Sequence, residues 1–216
     1  YNTLTRKKEE LITLTKGECS IYSCGPTVYS YAHIGNFRYF LFVDLLRRVL
    51  KNILGLKLKH VMNITDVGHL VSDEDYGEDK MMKAARLENK TPFDIARFYE
   101  KAFLDDMKCL NIDMPEMIVR ATDNIKEMEE YVKKIIKNGF AYETEDTIYF
   151  DTSKLDKYGV LSNINIEQQK EGARVEQDKS KRNKTDFAIW IKAPKEHIMK
   201  WDSFFRSIIS RMAFRM

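Results

Sequence analysis

Apolar residues come in short blocks whose spacing changes along the chain. Ser20 to Cys24 reads as a short buried strand that stops at the Gly25-Pro26 breaker. From Phe37 to Leu54 the period lengthens. Phe40, Val43, Leu46 and Leu50 recur at helical spacing, with Asp44, Arg47, Arg48 and Lys51 among them, and Gly55 ends the segment. Leu58 to Ile64 reads as a second strand. A strand, loop, helix and strand in that order predict a parallel sheet with a right-handed crossover, hence an α/β fold.

Further on, Thr91-Pro-Phe-Asp94 is a helix start, with Thr91 as N-cap, Pro92 in the first turn and Asp94 closing a capping box. That helix is expected to reach about Cys109. Another runs from about Thr122 to Lys137, with Gly139 as its stop. Ala141 to Glu143 and Thr147 to Phe150 form a small hairpin around Glu145-Asp146. Asn163 to Lys184 is polar and irregular, and Phe187 to Ile191 returns to a strand-like run. Asp73 to Asp79 is an acidic loop without the spacing of a calcium-binding EF-hand. There is no internal repeat and no low-complexity linker.

A length of 216 residues suits one large domain, or one domain carrying an insertion. No apolar run is long enough to span a bilayer and the start has no signal-peptide pattern, so no membrane partner is expected. Cys19, Cys24 and Cys109 are irregularly spaced and make no disulfide framework, which fits a reducing, cytoplasmic location. A net charge of +3 does not announce a nucleic-acid binder. The basic run at 179–184, KSKRNK, is more often a solvated loop than a phosphate contact.

Chemistry concentrates near the start. Cys24 could be core filler, a nucleophile, half a disulfide or a metal ligand. His33-Ile-Gly-Asn36 lies between a strand end and a helix start, where backbone N–H groups and the helix dipole suit a phosphate. Gly35 would let a ligand approach the backbone, and His33 and Asn36 would add side-chain donors.

Together, Cys24-Gly-Pro-Thr-Val-Tyr29 and His33-Ile-Gly-Asn36 resemble the amino-terminal signature of the cysteinyl-tRNA synthetases, a class I aminoacyl-tRNA synthetase family. His33 to Asn36 stands where the first class I motif does. The opening Tyr1-Asn-Thr-Leu-Thr-Arg-Lys-Lys8 and Asn63-Ile-Thr-Asp66 are similar to the family's. So are Gly172-Ala-Arg-Val175, Lys181-Arg-Asn183 and Asp186-Phe-Ala-Ile-Trp190. The likeness runs over residues 1 to 203 in the family's order. Lys179-Ser-Lys181 is not the second class I motif: it comes too early and lacks the methionine.

The resemblance implies a Rossmann-like (HUP-type) nucleotide-binding domain split by an α+β connective insertion. Its first half would be 1–114, the insertion 115–184, and the start of an incomplete second half 185–216. It implies activation of cysteine with ATP, carried with Mg, to cysteinyl-adenylate, then transfer to tRNA(Cys), by a monomer. Cys24 would be one of four ligands of a zinc ion that binds the substrate thiolate. Zinc prefers sulfur to a serine hydroxyl, so such a site selects cysteine without editing. Gly25, Thr27 and Thr65 would line the cysteine site. His33, Gly35 and Asn36 would hold ATP by positioned donors, with no nucleophilic residue. Cys19 and Cys109 fall in no family motif and are read as inert.

Two departures stand out. Gly68-His69-Leu70 replaces the Asp-Asp-Lys of many relatives, and no role is assigned to His69. After Ser203 the family continues through Pro-Gly-Trp-His-(Leu or Ile)-Glu-Cys. Here Met212 stands in place of the substrate-site tryptophan and Met216 in place of the second zinc cysteine. Ser210-Arg-Met-Ala-Phe-Arg-Met216 can be encoded as TCC AGG ATG GCA TTT AGA ATG. Shifted by one base, those letters spell Pro-Gly-Trp-His-Leu-Glu, so the tail reads as a frame-shifted family segment. An inactive fragment that holds zinc poorly is expected. The alternatives are a ligase joining cysteine to an amino-sugar and a non-catalytic ATP-binding module.

Overall fold

The computed structural model describes residues 1–67, 85–87, 89–161, 180–193 and 197–204, and the backbone of 208–209. The chain folds as two compact units. One comprises Leu11–Val67 and Lys80–Asn124; the other comprises Tyr1–Glu10, Gly68–Asp79 and Ile125–Met216.

In the first unit β1 (Glu18–Ser23), α1 (Ile34–Arg48), β2 (Lys57–Ile64), α2 (Pro92–Cys109) and β3 (Met117–Arg120) follow in order. The strands form one sheet in the order β1-β2-β3, and both pairings are parallel. The α/β reading thus holds in a Rossmann-like parallel arrangement. Helix α1 begins three residues before the expected Phe37, because His33 caps it. It continues through a π-helical turn, Val49–Ile53, until Gly55 turns the chain at φ +66°. Helix α2 starts as its capping box predicts: Thr91 Oγ1 accepts from the Asp94 N–H at 3.2 Å. Phe103 of α2 stacks on Phe37 of α1 at 5.6 Å and meets Phe40 edge-on at 4.8 Å, joining the helices through one aromatic core.

One expectation needs correction. Strand β1 is not buried throughout: Ser20 and Tyr22 are exposed and only Ser23 is fully covered. It pairs with β2 on one side and with no other strand among the described residues. Strand β3 went unread because four residues carry too short a pattern. It forms on the free edge of β2, with Asn63 opposite Val119.

Buried polar ties hold this unit. Arg47 is 6% exposed and donates to the Met114 carbonyl at 3.0 Å, to the Asp113 carbonyl and to the Glu116 carboxylate at 2.9 Å. It thereby fastens the end of α1 to the segment entering β3. Arg120 grips both oxygens of buried Glu100 at 2.7–3.0 Å. The buried Asp66 carboxylate accepts from the Thr122 N–H at 3.0 Å and from the Thr122 hydroxyl.

Burial pushes Asp66 above the usual aspartate range, against these hydrogen bonds. A raised native value means that the folded state binds the proton more tightly. This contribution to stability is therefore complete below the unfolded value, near 3.9, and is lost as pH rises through the native one. Urea melts of wild type and Asp66→Asn across pH 3.5 to 7 check this: the wild type loses stability relative to the variant as pH rises.

In the second unit α3 (Ile125–Lys137) packs on an antiparallel sheet of β4 (Ala141–Glu143), β5 (Thr147–Phe150), β6 (Phe187–Lys192) and β7 (Ile208–Ile209), in that order. Ile125 and Val132 of α3 meet Ile148 and Trp190 of the sheet in its core. Asp186 is the polar centre. It accepts from the Tyr142 hydroxyl at 2.8 Å, the Thr152 N–H at 2.9 Å and the Asn183 N–H at 3.0 Å. The basic run at 179–184 is not simply a solvated loop. The Arg182 N–H donates to Tyr142 Oη at 2.7 Å, and its guanidinium lies 4.1 Å over that ring. His69, the acidic loop at 73–79, Gly172 to Val175 and the side chains of the tail from residue 205 lie outside the described residues.

Candidate active site

The residues singled out in the sequence gather at the carboxyl ends of β1 and β2, the place where open parallel sheets bind ligands. Strand β1 ends at Ser23, and the chain continues alongside β2 rather than leaving it. Thr65 N–H donates to the Pro26 carbonyl at 3.0 Å, Val28 N–H donates to the Thr65 carbonyl at 3.1 Å, and Thr27 pairs with Thr65 as a parallel bridge. Gly25, Thr27 and Thr65, all half-buried, thus line one short trough. Gly25 is required by close approach: a Cβ there would stand 1.6 Å from the Asn63 carbonyl oxygen.

Cys24 sits exposed at the rim. Its N–H donates to Tyr39 Oη at 3.2 Å, which ties the rim to the second turn of α1. The Tyr22 hydroxyl lies in hydrogen-bonding reach of the Cys24 thiol and also donates to Asn63 Oδ1 at 3.0 Å. Burial, and then the neighbouring Cys24, raises the Tyr22 hydroxyl, and burial raises that of Tyr39, so both stay protonated at neutral pH. Sequence reasoning missed both tyrosines. The signal was available: Tyr22 stands two residues before Cys24 on one strand face, and Tyr39 one helical turn after Asn36.

His33, Gly35 and Asn36 form a single closed turn at the start of α1. Gly35 N–H donates to His33 Nδ1 at 3.0 Å, and His33 N–H donates to Asn36 Oδ1 at 3.0 Å. A Cβ on Gly35 would lie 2.7 Å from the His33 ring, so this glycine admits the imidazole rather than only an outside ligand. The Gly35 N–H, expected to be open to a phosphate, is taken by the cap. Capping consumes the acceptor atoms of both side chains. It leaves their donors, His33 Nε2–H and the Asn36 amide, on an exposed turn at the positive end of the helix dipole. Removing the cap with His33→Ala is expected to cost about 1 kcal/mol, read as a lower melting temperature.

A zinc ion at Cys24 would need donors from outside the described residues. Among the described residues no three His, Cys, Asp or Glu side chains come together. Nor is any helix among the described residues long and apolar enough to cross a membrane.

The model of the class I (C) tRNA synthetase catalytic domain matches residues 10–207. The chain belongs to that family. It is similar to the cysteine–tRNA ligase of Treponema denticola, at 50% identity over 205 residues, which cover 94% of this chain and 42% of the relative. The cysteine–tRNA ligases of Chlorobaculum tepidum and Borrelia hermsii are 42% and 44% identical, each over 207 residues, with the same shares covered. The class I (C) chain therefore spans about two fifths of the length of the curated relatives it matches.

Proposed function

We propose that this chain is the amino-terminal part of a cysteine–tRNA ligase, which activates cysteine with ATP and transfers it to tRNA(Cys). One observation carries the reading: the trough of Gly25, Thr27 and Thr65, with the Cys24 thiol at its rim, adjoins the helix that begins with the His33–Asn36 turn. Family membership and the names of the relatives support it.

Activation joins an oxygen of the substrate carboxylate to the α-phosphorus of ATP, and pyrophosphate leaves with the electron pair of the broken P–O bond. The substrate supplies the nucleophile. What the protein must supply is alignment and donors for developing negative charge. His33 Nε2–H, the Asn36 amide and the helix dipole are suited to the phosphates. Gly25, Thr27 and Thr65 form the walls for the amino acid. Cys24 would be one donor to a zinc ion that binds the substrate thiolate. Among the described residues no group of three such donors is present, so no step is routed through it. The location is taken as cytoplasmic and the enzyme as a monomer.

The test is aminoacylation by the full-length gene product that contains this chain. Cysteine should be esterified to a tRNA(Cys) transcript in an ATP-dependent manner. Consumption of an amino-sugar in place of tRNA would give the reading to the related ligase, and ATP binding without turnover would give it to a non-catalytic module.

A further inference from the structure

The trough is held together by a side chain outside the set assigned to substrate. Asn63, half-buried near the end of β2, makes three hydrogen bonds with one carboxamide. Its Oδ1 accepts from the Gly25 N–H at 2.9 Å and from the Tyr22 hydroxyl at 3.0 Å. Its Nδ2 donates to Thr65 Oγ1 at 3.2 Å. Gly25 belongs to the loop after β1, Tyr22 to β1, and Thr65 directly follows β2. The backbone of Asn63 also presses on Gly25, where a Cβ would meet its carbonyl oxygen at 1.6 Å.

The direction of the third bond matters most. A threonine hydroxyl has one hydrogen and two lone pairs. Because Asn63 Nδ2 donates to Thr65 Oγ1, one lone pair is occupied and the hydroxyl hydrogen is left to be given elsewhere. The same carboxamide orients the Tyr22 hydroxyl, which reaches the Cys24 thiol. One residue therefore sets the donor state of Thr65 and the orientation of the groups at the rim.

We infer that Asn63 is the positioning residue of the amino-acid site: it commits the Thr65 hydroxyl as a donor to the substrate and fixes the Gly25 peptide beside it. The inference rests on the functional reading above. It predicts a split between substrates, because Asn63 bonds to the Cys24–Thr65 trough and not to the His33–Asn36 turn.

Asn63→Asp is the informative change. It keeps the oxygen that Gly25 and Tyr22 use but replaces the donor to Thr65 with a carboxylate oxygen. The Thr65 hydroxyl then turns to donate to the carboxylate and is lost to the substrate. In ATP–pyrophosphate exchange by the full-length protein, Asn63→Asp should raise KM for cysteine about 10-fold or more and leave KM for ATP within about 2-fold. Thr65→Val, which leaves Gly25 and Tyr22 alone, should give the same split, and it carries the test if Asn63→Asp unfolds. The double variant should be no worse than the poorer single one, since both remove the same donor. An unchanged KM for cysteine in Thr65→Val, or KM values for cysteine and ATP that rise together, would overturn the inference. So would additive losses in the double variant. A wild type lacking cysteine-dependent exchange would instead overturn the functional reading, and this inference with it.

Discussion

Replacing Gly25 with alanine in the full-length protein should lower the rate of cysteine-dependent ATP–pyrophosphate exchange by about 100-fold or more. The added Cβ has nowhere to go. It would fall 1.6 Å from the Asn63 carbonyl oxygen and 2.8 Å from the carbonyl carbon, and these are backbone atoms of a paired strand. Relief requires the loop after β1 to move away from β2. That displacement breaks the Gly25–Asn63 bond and strains the Thr65–Pro26 and Val28–Thr65 backbone bonds that continue the sheet. All three bonds define the trough, so the amino-acid site opens before the nucleotide turn is touched. The check is exchange kinetics beside circular dichroism. The expected variant keeps its helical signal and loses turnover. Activity within a few-fold of wild type would mean that the trough does not hold the substrate.

The largest effect on stability is expected at Asp186. The residue is 2% exposed, and its carboxylate accepts from the hydroxyls of Tyr142 and Thr152 and from the backbone N–H groups of Thr152 and Asn183. Asp186→Ala strands these donors where water cannot replace the carboxylate, a loss of about 3 kcal/mol or more. Asp186→Asn, with one acceptor oxygen left, should lose less. Burial alone would raise this carboxyl. The Thr152 N–H, the Tyr142 hydroxyl and the Asn183 N–H outweigh it and hold it below the usual aspartate range. A depressed native value gives stability that is present above the unfolded value, near 3.9, and lost as pH falls through the native one. Denaturant melts of wild type and Asp186→Ala should therefore differ most near neutrality and converge in acid. Tyr142, pushed up to about 12 chiefly by burial, stays a donor throughout that range.

How far these features could be read from the sequence depended on whether a segment carries its own signal. Helix α2 announces both its start, in Thr91-Pro-Phe-Asp94, and its register, so its bounds were legible. The hairpin of β4 and β5 and the stop at Gly139 were legible for the same reason, since turn chemistry is local. Strands β3 and β7 carry no such signal. They are short and exist because β2 and β6 offer edges, which is information held elsewhere in the chain. In β1 the exposed Ser20 and Tyr22 share one face, and so short a segment does not tell from its sequence alone whether one face or both are covered.

The site divides in the same way. Gly25, Thr27, Thr65, Cys24 and the His33–Asn36 turn were nameable from motifs. The capping role of His33 was not, because histidine is a rare N-cap and its ring folds back only where Gly35 leaves room. Asn63 stands in the Asn63-Ile-Thr-Asp66 motif, which by itself gives it no task. Its task lies in bonds to residues 38 and 41 positions away, which no local pattern encodes.

The deciding measurement is amino-acid-dependent ATP–pyrophosphate exchange by the full-length gene product, run with cysteine and serine side by side. Cysteine should drive exchange, with kcat/KM for serine about a thousandfold lower or less. Exchange that is absent with cysteine, or that serine supports equally well, would overturn the proposed specificity.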